Sequence, residues 1–479
     1  MSLDSSYDAV IIGSGQAGTP LATAFAKAGQ KTVLIESTHI AGCCVNEGCT
    51  PTKTLITSGR VAHLTRRGPD YGIHTSEGKE NQVLVDMTKV RQRKRDIVDS
   101  FRGGSEKRLK DAGVEVLMGK AGFVSPTTIH VMTDGGRGNE KILEAKKIFI
   151  NVGERPAPPK LEGIEKLEQG RALDSTSIQE LDAVPERLIV IGGGYVGVEF
   201  AQLFGRLGSA VTVVQRGKQL LPREDKEVAE ALKVILEDEG VVINLKSEVV
   251  DVQSVRENGS FTLNAKISGK EVNIEGTHIL FAAGRIPNSD SLNLKAAGVE
   301  TNAKGYIVAN EFLQTTAGHI YVLGDAKGPP AFTHISYDDF RIIKANLLSE
   351  STEVAKLSTT GRLVPYVVYT DPQLGHVGLH EHEAKKQFPG RNIKTAKMPM
   401  AYVARALETD ESKGLMKAVV DGESGEILGF TCLGIEGGEV MAVVQMAMMG
   451  GVRYQKLQDA VWAHPSLAES LNNLWGFLE

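Results

Sequence analysis

The sequence predicts an α/β fold built on two Rossmann-like dinucleotide-binding units and completed by a C-terminal region of α+β pattern. Three observations carry this expectation. A short apolar strand at residues 9–12 runs into Gly13, Gly15 and Gly18, a helical stretch to about Gly29, and a second apolar strand that ends on Glu36. The same order recurs: an apolar strand at 188–191, then Gly192, Gly194 and Gly197, a helix to about Gly208, and a strand that ends on Gln215. In both copies the strand-end residue lies 23 positions after the first glycine (13 to 36, 192 to 215). One glycine-rich turn is weak evidence; two in the strand–glycine–helix context with matched offsets identify a pair of βαβ dinucleotide fingerprints. Third, from about Arg362 the pattern changes to short strands (364–369, 414–420, 427–433) and an apolar, methionine-rich helix at 440–449.

In the first unit, Gly13 permits the tight turn, Gly15 lets a pyrophosphate approach the backbone, and Gly18 lets helix and strand pack closely with the helix N-terminus facing the phosphates. Glu36 is spaced to accept a hydrogen bond from an adenosine ribose hydroxyl. Next comes a cysteine cluster, Cys43, Cys44 and Cys49, followed by Pro51 and Lys53. Taken alone, Cys44 and Cys49 are ambiguous: buried thiols and part of a metal site are both open. Zinc is disfavoured because no second cysteine pair or histidine pair lies nearby. After a dinucleotide fold, and at the opening of a helix whose positive end favours a thiolate, the pair reads as a redox disulfide. Cys43 is a small buried residue or an additional thiol contact. Residues 91–110 form a charged helix; Asp96, Asp99 and Glu106 interrupt its basic run, so it is a solvated face rather than a nucleic-acid patch.

The second unit differs at its strand end. Gln215 stands where an acid would repel a 2′-phosphate, and Arg216 follows, so NADPH is favoured over NADH, with Lys218 as a possible helper. Near the C-terminus, Pro465 is expected in the first turn of a helix, with His464 at its mouth and Glu469 placed to orient the imidazole as an acid–base pair. The 440–449 stripe reads as core or subunit contact.

The 479 residues suggest two to four domains. With 54 Lys+Arg against 59 Asp+Glu, the net charge of -5 argues against a nucleic-acid binder and an anionic-membrane binder. Four cysteines rule out a disulfide-stapled secreted scaffold, no leader or membrane-spanning run is visible, and a cytoplasmic setting is expected. The 52 glycines without a collagen period imply many tight turns.

These residues resemble the FAD-dependent pyridine nucleotide–disulfide oxidoreductases, the group of dihydrolipoamide dehydrogenase, glutathione reductase and mercuric reductase. The resemblance covers essentially the whole chain. It rests on Gly13 to Gly18 with Glu36, residues 41–53, Gly192 to Gly197 with Glu199, residues 281–287 with Gly284, residues 321–325 with Gly324 and Asp325, residues 369–373, and His464 with Glu469. It implies a first FAD segment at 1–157, an NAD(P) domain at 158–287, a second FAD segment at 288–358 and a dimerisation domain at 359–479. Gly13, Gly15, Gly18 and Glu36 would hold the FAD adenosine and pyrophosphate, and Asp325, after Gly324, the ribityl chain. Cys49 would face the flavin, and Cys44 would be the thiol that attacks substrate. Lys53 would sit near the flavin, paired with Glu199. Gly192, Gly194 and Gly197 would bind the nicotinamide dinucleotide, with Tyr195 at its entry. His464 and Glu469 would come from the other subunit of a homodimer.

The activity so implied carries electrons from NADPH or NADH through FAD to Cys44–Cys49 and on to a small-molecule disulfide or a thiophilic metal ion. Alternatives are a mercuric or cupric reductase, a dihydrolipoamide dehydrogenase, a flavin redox sensor, and an NADPH oxidase. The segment 332–341 is like that of a mercuric-reductase-like and reactive-chlorine-resistance group. The tail 474–479 carries no cysteine pair, so an efficient mercury relay is not expected. No resident metal, membrane or nucleic-acid partner is expected.

Overall fold

The strand Ser5–Ile12 ends in four consecutive buried apolar residues. A strand with no polar face must be covered on both sides, which is the situation of a parallel sheet between helices. A computed structural model of the chain, describing residues 5–74, 83–133, 139–349 and 356–479, places it so. The chain divides into two compact units: Met1–Thr54, Gln92–Pro158 and Gly284–Arg362 form one, and Leu55–Arg91, Pro159–Ala283 and Leu363–Glu479 the other.

In the first unit the parallel neighbours run Glu115–Phe123, Thr32–Glu36, Ser5–Ile12, Asn139–Ile150, Ile320–Val322. Strand Thr128–Thr133 adds an antiparallel meander between the far ends of Glu115–Phe123 and Asn139–Ile150. Helices Gly18–Lys27 and Thr333–Leu348 share a buried cluster on the sheet that includes Leu21, Phe25, Phe149, Phe340 and Ile343. Each such side chain removed from water contributes about 1.5–3 kcal/mol. The charged stretch is the helix Met87–Asp111.

In the second unit a five-stranded parallel sheet runs Val242–Leu245, Ala210–Gln215, Arg187–Ile191, His278–Phe281, Ala172–Leu173. Helix Tyr195–Leu207 covers it, and the meander Ser247–Val255, Phe261–Ile267, Lys270–Gly276 is appended. The C-terminal part is an antiparallel sheet ordered Tyr366–Val368, Gln373–Gly378, Ile427–Gly434, Leu415–Asp421, Ile393–Pro399. Helix Gly437–Met449 packs on it. Its methionines divide: Met441 is buried, whereas Met446 and Met449 are exposed.

Two local expectations are corrected. The strand expected over 364–369 is only Tyr366–Val368. Pro365 has no N–H for a ladder, and Tyr369 spends its N–H on the Glu199 carboxylate at 2.8 Å. The helix expected to begin at Pro465 is absent; the next helix is Ser470–Asn473. Ser466 Oγ accepts from Glu469 N at 3.2 Å while Glu469 Oε1 accepts from Ser466 N at 3.4 Å. This reciprocal pairing is a capping box that makes Ser466 the cap, so the helical turn starts after it, with Ser470 N donating to Leu467 O, and not at Pro465. Among the described residues no helix is long and apolar enough to cross a membrane.

Candidate active site

The first glycine turn is closed by contacts that tolerate no side chain. Gly13 has φ of +99°, and a Cβ there or at Gly18 would collide with backbone carbonyl oxygen. Asn151, just after strand Asn139–Ile150, turns its carboxamide onto this loop. With its oxygen facing the donors, it accepts from Gly15 N at 3.2 Å and Gly18 N at 3.0 Å. Glu36 is buried at the strand end. Its Oε2 accepts from Ser14 N at 3.0 Å and Ser14 Oγ at 2.6 Å, and its Oε1 accepts from Thr38 N at 2.9 Å.

In the same unit Gly324 adopts φ of +67°, and its N–H is held by Asp339 Oδ2 at 2.8 Å. Asp339 is fully buried and is neutralised by Lys327 at 2.8 Å and Arg362 at 2.8 Å. The turn presents Asp325, whose carboxylate accepts no hydrogen bond from any described residue. Burial pushes its carboxyl up to about 6, with Glu154 adding to the shift. A half-buried acceptor without a donor, beside a glycine-lined cradle, fits a ligand rich in hydroxyls and phosphates; FAD is such a ligand. Gly284 opens the next segment of the unit, and its carbonyl accepts from Ala157 N at 3.1 Å.

Cys44 lies in the short helix Gly42–Asn46, and Cys49 is the first residue of the helix Cys49–Arg66. All four cysteines are free thiols. The Thr333 hydroxyl, at the start of helix Thr333–Leu348, donates to Cys44 Sγ at 3.1 Å and lies 3.5 Å from Cys49 Sγ. One hydroxyl therefore touches both sulfurs. The Cys44 thiol is pushed up by its hydrogen bond with Cys49 and by burial, and Thr333 opposes the rise. Cys43 has an exposed face, but its sulfur sits in a recess whose walls desolvate it and push its thiol up; the Arg285 guanidinium draws it back. Arg285 donates to Cys43 Sγ at 3.6 Å and to Glu154 O at 2.7 Å. Glu154 Oε1 accepts from Tyr306 OH at 2.6 Å. Lys53 lies half-buried on the helix that Cys49 opens.

The second glycine turn, in the other unit, repeats the first with one change. Gly192 has φ of +110°, and a Cβ there would stand 2.8 Å from Ala282 O. Gly194 faces open space. Gln215 Oε1 accepts from Gly193 N at 3.1 Å and its Nε2 donates to Gln219 O at 3.2 Å, leaving Arg216 and Lys218 exposed. Tyr195 opens the helix, with Gly197 and buried Glu199 following. His464 is exposed, and its Nδ1 bonds Glu469 Oε2 at 2.9 Å and Oε1 at 3.2 Å. A carboxylate on Nδ1–H leaves Nε2 as the basic nitrogen.

The structure thus gathers Gly13, Gly15, Gly18, Glu36, Cys44, Cys49, Lys53, Gly324 and Asp325 in one unit. The second fingerprint and the His464–Glu469 pair fall in the other. Sequence reasoning passed over Asn151, Thr333 and Asp339. Thr333 and Asp339 lie in a segment already noticed for its likeness, whereas nothing local marks Asn151, which acts on the turn only through the parallel sheet.

Residues 7–339 match the family model described as pyridine nucleotide-disulphide oxidoreductase, and residues 364–474 match the dimerisation domain of the same oxidoreductases. The chain is 35% identical over 477 residues, 99% of each chain, to the probable pyridine nucleotide-disulfide oxidoreductase RclA of Escherichia coli (strain K12). It is 34% identical over 472 residues to a mercuric reductase of Staphylococcus aureus, covering 98% of this chain and 82% of that one. A solved structure titled the Cu(II) complex of HOCl-induced flavoprotein disulfide reductase RclA from Escherichia coli superposes with a TM-score of 0.87 at 34% identity, covering 99% of both chains.

Proposed function

From the premise that this chain belongs to the pyridine nucleotide-disulphide oxidoreductase family and is an FAD-dependent oxidoreductase, we propose that it reduces small-molecule disulfides with electrons taken from NADPH. The observation that carries the reading is the Thr333 hydroxyl in contact with both Cys44 and Cys49 sulfurs. Two thiols that touch one hydroxyl and hydrogen-bond each other are close enough to exchange a bond, and one of them opens a helix whose positive end favours negative charge.

Gly13, Gly15, Gly18, Glu36 and Asp325 hold FAD in this reading, with Lys53, on the helix that Cys49 opens, as a cation near the flavin. Bound there, FAD would supply the two-electron redox chemistry that links the nicotinamide to the Cys44–Cys49 disulfide. The chain's own residues do the rest. Cys44, its proton passed to His464 of the partner subunit, attacks one sulfur of the acceptor; the acceptor S–S bond breaks and one thiolate leaves. His464 of the partner subunit, held through Nδ1 by a carboxylate, gives that thiolate its proton. Cys49 then attacks Cys44, releasing the second thiol and closing the Cys44–Cys49 disulfide. The acceptor gains two electrons and two protons; the cysteine pair gives them up. A homodimer is therefore part of the reading, supported by the match to a dimerisation domain and by the outward Met446 and Met449. So is a cytoplasmic setting, where a dithiol cycles against a reducing pool.

Gln215, held to the backbone, contributes no negative charge, and the free Arg216 and Lys218 suit a 2′-phosphate. A second reading, reduction of a thiophilic metal ion such as Cu(II), is favoured by the third sulfur of Cys43 beside Cys44 and by the likeness to a flavoprotein solved with Cu(II).

The test is an anaerobic titration of the FAD-loaded protein with NADPH and, separately, NADH, followed by an acceptor screen. Reduction with a long-wavelength absorbance that Cys49→Ser abolishes, and turnover with disulfides, is the expected result. Reduction without that band, and turnover that survives Cys44→Ser, overturns the reading in favour of direct oxidase chemistry.

A further inference from the structure

A buried carboxylate outside the catalytic set lies in the unit that carries the second glycine turn. Glu224 is 4% exposed, in the loop after strand Ala210–Gln215. Its Oε1 accepts from Tyr366 OH at 2.6 Å and Tyr195 OH at 3.2 Å, and its buried Oε2 has no hydrogen-bond partner among the described residues, His380 Nε2 facing it at 4.0 Å. The Tyr195 and Tyr366 rings pack at 5.4 Å. Behind them stand two imidazoles. His380 Nε2 lies 3.2 Å from Tyr366 OH, and since that hydroxyl gives its proton to Glu224, the imidazole is the donor. His376 is satisfied by Thr431 Oγ1 at 2.8 Å and Gly378 O at 3.1 Å.

Glu224, His376 and His380 are close enough to suggest a metal site, but their geometry argues against one. The two imidazoles are stacked, centroids 3.9 Å apart and planes 16° apart. A metal ion lies in the plane of each imidazole that binds it, so one ion cannot serve two stacked rings, and His376 has no free nitrogen to offer.

The cluster connects instead to the dinucleotide turn. Tyr195 follows Gly194 and is the first residue of the helix whose N-terminus faces that turn. The loop from Gln215 to Glu224 is stitched to the turn by Leu221 N to Gly193 O at 2.8 Å and by Gln215 Oε1 to Gly193 N at 3.1 Å. At its far end Gln219 Nε2 donates to Glu224 O at 2.9 Å. We propose that Glu224 is a positioning residue for the nicotinamide dinucleotide: its carboxylate anchors Tyr195 and the loop bearing Arg216 at the edge of the Gly192–Gly197 turn, and the dinucleotide binds tightly only while that anchor is charged. This rests on the reading of that turn as the nicotinamide dinucleotide site.

The groups around Glu224 make it the member that titrates near neutrality. Burial raises its carboxyl to about 7, Tyr366 and Tyr195 oppose the rise, and Asp225 and Glu383 add to it. Burial holds His376 down to about 3 and lowers His380 as well, so both imidazoles are neutral there. Both tyrosines are raised by burial and stay protonated. Lys417 is spent on Asp225 at 2.9 Å, Glu227 and Glu381. The charge of Arg223 acts on Tyr195, opposing the rise of its hydroxyl. A charged acceptor binds a hydroxyl about twice as strongly as a neutral one, so protonating Glu224 loosens Tyr195.

The experiment is calorimetric titration of the FAD-loaded protein with NADP+ and with NAD+ from pH 5.5 to 8.5, alongside the KM for NADPH and NADH. Wild type is expected to bind each dinucleotide about tenfold more weakly at the acid end, a change of about 1.4 kcal/mol, with an inflection near pH 7. Glu224→Gln removes the inflection. Tyr366→Phe takes one donor from the carboxylate and moves the inflection to higher pH, and it serves should the first variant fail to fold. An inflection of wild-type size and position in Glu224→Gln, or one unmoved in Tyr366→Phe, overturns the proposal while leaving the dinucleotide site in place. Absence of binding by either dinucleotide to wild type at any pH overturns the site reading, and the proposal falls with it.

Discussion

Gln215 Oε1 accepts from Gly193 N at 3.1 Å, the same relation that Glu36 Oε2 has to Ser14 N at 3.0 Å in the first unit. The two strand ends thus hold their glycine turns by the same backbone contact and differ by one charge. Removing the charge at Gln215 leaves Arg216 free to meet a 2′-phosphate. Arg216→Ala is expected to raise the KM for NADPH about tenfold, the loss of one charge-assisted contact, and to leave that for NADH within about twofold. Gln215→Glu is expected to reverse the preference. Steady-state kinetics with both nucleotides decide; an Arg216→Ala variant that weakens both equally removes the basis for NADPH.

Thr333 supplies a hydroxyl that holds the Cys44 thiol down against the combined push of Cys49 and burial. In Thr333→Val the thiolate loses that donor. The pH at which Cys44 becomes half-reactive toward iodoacetamide is expected to move up, and disulfide turnover at pH 7 to fall about fivefold, since a hydrogen bond of about 1 kcal/mol is lost. The alkylation profile separates this from a packing effect, which leaves the midpoint where it was.

Cys44→Ser and Cys49→Ser are expected to fail differently. Either loses disulfide turnover by at least about 10³-fold, because the nucleophile or its resolving partner is gone. Reduction of bound FAD by NADPH persists in Cys44→Ser, and the long-wavelength absorbance survives only while Cys49 is present. Stopped-flow spectra report both. Disulfide turnover at wild-type rate in Cys44→Ser takes that residue out of the mechanism.

Asp339 is fully buried, and it joins Gly324 N to Lys327 and Arg362. Asp339→Ala takes the carboxylate from Lys327, leaves Arg362 with Asp338 alone at 3.2 Å, and releases the turn that presents Asp325. A loss of about 3–5 kcal/mol is expected, as for breaking a buried ion pair from one side, together with easier loss of FAD. Denaturant midpoints and flavin content after dialysis measure the two consequences.

The stability of the second unit carries a pH signature. The Glu224 carboxyl is raised to about 7 in the folded chain, so its contribution is full below the ordinary glutamate range of about 4.3 and is lost as pH rises toward 7. His376, held down to about 3, acts oppositely: its contribution is full above about 6.5 and falls as pH drops. Between about 4.5 and 6.5 the two slopes, each about 1.4 kcal/mol per pH unit, offset each other. Glu224→Gln removes one of them. Its unfolding midpoint is expected to rise relative to wild type as pH is raised from 4.5 to 7, and a difference that stays constant across that range refutes the assignment.

What was legible in the sequence is what repeats locally. The glycines at 13, 15 and 18, the matched offsets to Glu36 and Gln215, and the cysteines at 44 and 49 are signals written within a strand, a turn and a helix, where backbone sterics permit few solutions. Tertiary structure decided the rest. Asn151 reaches the first turn only because two strands distant in sequence lie side by side. Thr333 meets Cys44 across 289 positions of chain. Glu224 acquires its shifted proton from burial among residues of three separate segments. Pro465, a good helix starter by type, starts none because the reciprocal bonds of Ser466 and Glu469 make Ser466 the cap and set the helical turn after it. Periodicity and motif spacing report short-range sterics; desolvation and long-range hydrogen bonds come into being only when the chain has folded.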